Sequence, residues 1–140
     1  MTEEDKKLLL KDLSARLPYG VKIHSTEYSG VWNIFSINPN GEVYVIDYIN
    51  SPLPSYYETC KPYLFPMSSI TEEQEEELKN IYYRFNGMFQ YTERIFDRIP
   101  FSKMKYFPYQ VEEFFNKNHI DYRGLIPMGL AKDATGLGIY

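Results

Sequence analysis

Residues 21–50, "VKIHSTEYSGVWNIFSINPNGEVYVIDYIN", decide the fold. Three runs within it, "VKIHSTEY", "VWNIFSIN" and "EVYVIDYI", are rich in β-branched and aromatic residues and are parted by Ser29-Gly30 and by "NPNG" at 38–41. Such runs read as strands, because branched and aromatic side chains pack well on a pleated surface. Asn40-Gly41 supplies the positive-φ pair of a tight hairpin, and Ser29-Gly30 a weaker version of it. The reading is a three-stranded antiparallel meander. In its last run Tyr44, Ile46 and Tyr48 alternate with Val43 and Val45, so both faces carry apolar surface. One face is expected to receive helices, the other loops or a second molecule.

Upstream, residues 1–20 predict a helix. Thr2 can cap it, Glu3, Glu4 and Asp5 favour the positive end of its dipole, and Leu9, Leu10, Leu13 and Leu17 form one apolar face before Pro18 and Gly20 end it. Downstream, residues 51–68 carry Pro52, Pro54, Pro62 and Pro66, which argue against a central strand and a helix interior alike, so an extended connector is expected. Residues 69–140 read as mainly helical. Ser69 with Glu72, and Thr71 with Gln74, each fit a capping box, followed by the face Leu78, Ile81, Tyr82 and Phe85. Asn86-Gly87 could stop that helix, but the stripe Phe85, Met88, Phe89, Thr92, Ile95 and Phe96 favours continuation towards residue 98. Pro108 opens a further helix with Val111, Phe114 and Phe115 inward, and the glycine-rich last stretch, residues 120–140, is expected to form a helical turn at its start and to fray at its end.

These segments predict an α+β fold in a single domain, residues 1–140: an N-terminal helix, the meander, and two or three helices packed on one sheet face. The 140 residues, 44% hydrophobic and 17% aromatic, suffice for one core. Fourteen Tyr and nine Phe imply rings whose hydroxyls lie near water. The net charge of -4 lacks the basic excess that a phosphate backbone demands, which disfavours nucleic acid. One cysteine excludes an internal disulfide, the N-terminus lacks the pattern of a secretory signal, and no apolar run is long enough to span a bilayer. The expectation is a cytoplasmic protein without membrane contact.

Chemistry-bearing residues are sparse. His24 and His119 have no partner at metal-ligand spacing, so neither metal nor cofactor is expected. Cys60 with His119, Asp121 and Arg123 would make a small enzyme only if folding brought them into one pocket, and Cys60 reads first as a half-buried structural thiol. The acidic run Glu72 to Glu77 reads as a solvated helix start. Residues 94–106 interleave Arg94, Arg98, Lys103 and Lys105 with aromatics, an arrangement suited to single-stranded nucleic acid or an acidic protein surface. The aromatic run Tyr56, Tyr57, Tyr63 and Phe65 is either the joint between sheet and helix or a surface that grips an unidentified protein partner.

Three blocks, "ARLPYGVK" (15–22), "KPYLFPMSSITEEQ" (61–74) and "NHIDYRGLIPMGLA" (118–131), resemble in order and spacing a family of short proteins of gut Bacteroidetes bacteria and their phages and prophages. Phe65 stands where the family pattern has an arginine, and Pro127 and Met128 replace a Glu-Lys pair. The resemblance implies a mobile-element or phage context and carries no activity, fold or catalytic residue. The favoured reading is a small protein-binding module, with the enzyme and a weak nucleic-acid binder as alternatives.

Overall fold

The structure, a computed structural model, describes residues 1–47, 51–85 and 109–140, and only the backbone of 82–85. The first helix, α1 (Glu3–Arg16), starts on a complete capping box: the Thr2 hydroxyl accepts from Asp5 N–H while the Asp5 carboxylate accepts from Thr2 N–H. Two orphan donors of the first turn are thereby satisfied. Leu9 and Leu13 are buried as the leucine spacing predicts, but Asp12 and Arg16 are buried on the same face. The seam at i, i+3, i+4 and i+7 therefore carries an ion pair that the leucine pattern does not reveal.

The meander is present as β1 (Lys22–Ser25), β2 (Val31–Ile37) and β3 (Glu42–Ile46), paired antiparallel with Ile23 opposite Trp32 and Ile37 opposite Val43. Alternation buries Ile23, Trp32, Val43 and Val45 in one cluster with Leu9 and Leu13 of α1. At the second hairpin Gly41 has φ +88, and a Cβ there would meet the Tyr57 ring at 2.6 Å, so both backbone and space require glycine.

The α+β class holds, but the sheet is larger than a three-stranded meander and the connector reading is corrected. Residues 51–68 contain β4 (Leu53–Tyr56), antiparallel to β3, and β5 (Cys60–Pro66), antiparallel to β1. Two short strands, β6 (Ile120–Asp121) and β7 (Lys132–Asp133), pair parallel with β5 and bring the sheet among the described residues to seven strands. The prolines are tolerated for a geometric reason. Thr26 N–H bonds the Thr59 carbonyl, and antiparallel ladders alternate bonded with non-bonded pairs. Ile23 opposite Pro62 is thus a non-bonded pair, and the missing N–H costs the β1 ladder nothing. Pro66, four residues on, shares that orientation, and Pro54 lies on β4, the end strand of the described sheet.

Helix α2 (Glu72–Phe85) uses the second of the two capping boxes: Thr71 and Gln74 exchange side-chain-to-backbone bonds, while the Ser69 hydroxyl turns back to the Pro66 carbonyl. Leu78 joins Val111, Phe114 and Phe115 of α3 (Tyr109–Lys117) and Ile120 in a second cluster. A third holds Leu64, Leu125, Leu130 and Ala131. The continuation of α2 towards residue 98 lies outside the described residues. The C-terminus is anchored, against the expectation of fraying. Tyr140 stacks on His119 at 3.7 Å between ring centroids, and its hydroxyl donates to the Tyr63 carbonyl at 2.8 Å and accepts from Lys22 N–H at 2.9 Å.

Candidate functional site

Alternation along the meander sends the neighbours of the buried residues to the opposite face. Register sets Lys22 opposite Asn33, His24 opposite Val31 and Lys61, Tyr44 opposite Pro54, and Glu42 opposite Tyr56. The ladder of β2 slips between Ile34 and Ser36, a bulge that leaves Phe35 62% exposed. Towards the β4 edge, Tyr44 (37% exposed) and Tyr56 (55% exposed) stand beside a cleft of 390 Å³ lined also by Glu27, Glu42, Pro54 and Ser55. The loop bearing Glu27 is tied down from both sides: the Ser25 hydroxyl accepts from Glu27 and Tyr28 N–H, and the Tyr28 hydroxyl donates to the Pro54 carbonyl. Glu42 accepts from the Asn38 side-chain amide, and neither it nor Glu27 pairs with a cation among the described residues.

The four aromatic residues singled out by sequence differ in burial and contacts: one is exposed and three are partly buried. Tyr56 is exposed, whereas Tyr57 packs on the first core cluster. Tyr63 meets His24 edge to face at 6.4 Å, and Phe65 lies 5.9 Å from the Tyr140 ring. Tyr44, Glu27 and Glu42 were missed by sequence reasoning. The alternation of β3 signals Glu42 and Tyr44 as neighbours on one face, while nothing in the sequence places the Glu27 loop against β4. The basic residues Arg94, Arg98, Lys103 and Lys105 lie outside the described residues.

The candidate catalytic residues do not converge. Cys60 is fully buried in the first cluster, where burial pushes its thiol up. The His119 carbonyl accepts from Phe65 N–H, so five residues of β5, roughly 16 Å at strand rise, separate His119 from Cys60. Asp121 spends both carboxylate oxygens on Leu125 and Ile126 N–H, each at 2.8 Å, closing the loop after β6. Arg123 donates to Asp12 at 2.7 Å, and the same carboxylate receives Arg16 at 2.9 Å. Arg16 in turn donates to the carbonyls of Phe115 and Ile120. These charged groups join α1 to the end of α3 and the start of β6. His24 and His119 have no metal-binding company: no group of three or more candidate ligands occurs among the described residues. No helix there is long and apolar enough to cross a membrane.

Compared with known protein families, curated proteins and solved structures, the chain finds no match.

Proposed function

We propose that the chain is a protein-binding module that seats a lysine- or arginine-bearing segment of its partner in the cleft between Tyr44 and Tyr56. The observation that carries this reading is the pair of carboxylates, Glu27 and Glu42, without a cation partner among the described residues and beside two exposed tyrosine rings. Tyrosine faces attract cations through their quadrupole, and carboxylates supply the charge-assisted hydrogen bonds. The net charge of -4 steers the same class of partner. The cleft adjoins β4, where an extended peptide could add a strand to the end of the described sheet. A phage or host protein is the class of partner that the family resemblance adds.

The test is titration calorimetry with an arginine-containing extended peptide and with the same peptide carrying glutamate instead. The arginine peptide is expected to bind, to weaken with added salt, and to lose about tenfold or more in affinity in Glu27→Gln/Glu42→Gln and in Tyr56→Ala. Circular dichroism of the variants should match the parent, because these side chains lie outside the core clusters. Equal binding of the two peptides, or unchanged affinity in the variants, would overturn the reading. Tyr57→Ala is unsuitable as a probe because it also removes core packing.

A further inference from the structure

The Tyr44–Tyr56 cleft lies along β4, and an extended segment can follow that strand in two ways: as an added strand bonded to its outer edge, or as a polyproline II helix resting on its side chains. Parity shows which backbone groups form the outer edge. Tyr57 N–H donates to the Gly41 carbonyl, so in the register that sets Glu42 opposite Tyr56 the groups of Leu53 and Ser55 face β3, while those of Pro54 and Tyr56 face away. Little of that edge is open. Pro54 has no N–H, and its carbonyl accepts from the Tyr28 hydroxyl at 2.8 Å. The Tyr56 carbonyl accepts from the Thr59 hydroxyl at 2.8 Å and from the Cys60 thiol at 3.5 Å. Pro52, one step further at the same parity, also lacks a donor. Of the outward groups of Pro54 and Tyr56, only the Tyr56 N–H is left for an incoming strand, which gains its affinity from main-chain bonds.

The side-chain face of β4 is open by contrast. Tyr44 stands opposite Pro54 and Glu42 opposite Tyr56, in non-bonded pairs whose side chains are close, and Glu27 lines the same cleft. The diagonal from Tyr44 to Tyr56 spans roughly 7–8 Å between backbones, near the ~9 Å of one polyproline II turn. Neither tyrosine hydroxyl has a hydrogen-bond partner among the described residues. A polyproline II helix makes no internal hydrogen bonds, so its carbonyls can accept from both.

We infer, resting on the reading of this cleft as the seat of a basic segment, that the segment is a proline-rich polyproline II helix carrying arginine. Its proline rings lie against Tyr44, Pro54 and Tyr56, and its guanidinium faces Glu27 and Glu42. Carboxylates suit the planar fork of a guanidinium better than an ammonium. A segment already held in this conformation loses less entropy on binding, which matters at an edge that offers few backbone bonds.

Calorimetry on the full chain with three peptides of equal length tests it. The first carries an arginine and two prolines three residues apart, the second has valine and threonine in place of the prolines, and the third has glutamate in place of the arginine. The first is expected to bind about tenfold or more tightly than the second, and the third to give no saturable heat. Tyr44→Phe and Tyr56→Phe keep the rings and should each weaken the first peptide about fivefold, the scale of one hydrogen bond. Equal or tighter binding of the valine and threonine peptide, or undiminished binding in both phenylalanine variants, would overturn this proposal and leave the basic-segment reading standing. A glutamate peptide that bound as well as the arginine one would overturn both.

Discussion

Arg16 makes three hydrogen bonds from a fully buried guanidinium: to Asp12, to the Phe115 carbonyl and to the Ile120 carbonyl at 2.7 Å. The Phe115 carbonyl belongs to the last turn of α3, where four carbonyls have no partner inside the helix, so Arg16 acts as a cap supplied from α1. The Tyr122 ring lies beneath both cations of the network, 5.6 Å from the Arg16 guanidinium and 4.4 Å from that of Arg123. Buried pairs contribute little net stability relative to an apolar replacement, but removing Arg16 leaves the Phe115 and Ile120 carbonyls without this donor and leaves Asp12 with Arg123 alone. Arg16→Ala should therefore cost about 3–5 kcal/mol in urea denaturation. Arg16→Lys should recover only part of that, since an ammonium keeps the charge without the planar fork that reaches both carbonyls. Sequence reasoning missed this residue because a charged side chain one turn from a leucine stripe ordinarily points to water.

At the scale of elements, β5 is the member that composition hid and pairing revealed. Its prolines fall at positions whose N–H the β1 ladder does not use, a matter of parity that depends on which strand lies alongside. Extending the β1–β5 register by one residue would set Lys22 opposite Tyr63, and there the Tyr140 hydroxyl stands between the strands. Although 41% of Tyr140 is exposed, its hydroxyl is enclosed, and burial pushes its pKa up to about 12 against the opposing bond from Lys22 N–H. Tyr140→Phe should preserve the ring stack on His119 while opening this seam. Amide hydrogen exchange should accelerate at Lys22 but not at Thr26, whose bond to the Thr59 carbonyl is independent of Tyr140. The accompanying loss of stability should be about 1 kcal/mol, one net hydrogen bond. Equal exchange at Lys22 in both proteins would show that the hydroxyl does not hold the strands together.

For the whole molecule, the Arg16 network and β5 tie the core clusters into one unit, and Trp32, the single tryptophan, reports on the first of them. His119 makes global stability depend on pH. Burial, with the charges of Arg16 and Lys22 adding to it, lowers its pKa from 6.5 to about 4. An unfolded chain takes up this proton below about 6.5 and the folded one only near 4, so stability falls as pH drops through that window and then levels. The expected loss is up to about 3 kcal/mol, read as a falling urea midpoint of Trp32 fluorescence. In His119→Asn that slope should disappear. Asp5 and Asp133, lowered from 3.8 by bonds with Thr2 and Thr135, act below this window and do not confuse it. An unchanged slope in the variant would place the pH dependence elsewhere.

The sequence by itself determined the local elements: a helix capped by Thr2, a second helix start at Ser69 or Thr71, the Gly41 hairpin, the strands of the meander and the inward face of α3. Each follows from near neighbours, through capping, turn geometry and periodicity, and so survives in a linear reading. Only the tertiary structure decided that a proline-bearing segment is an interior strand, that Asp12 and Arg16 belong to the core, and that Glu27 joins Glu42 beside Tyr44 and Tyr56. It also decided that Cys60 and His119 stay apart while His119 meets Tyr140. Those outcomes depend on partners up to 118 residues away, as in the bond from Lys22 to Tyr140, and on the free energy of burying one face against another, which no local pattern encodes.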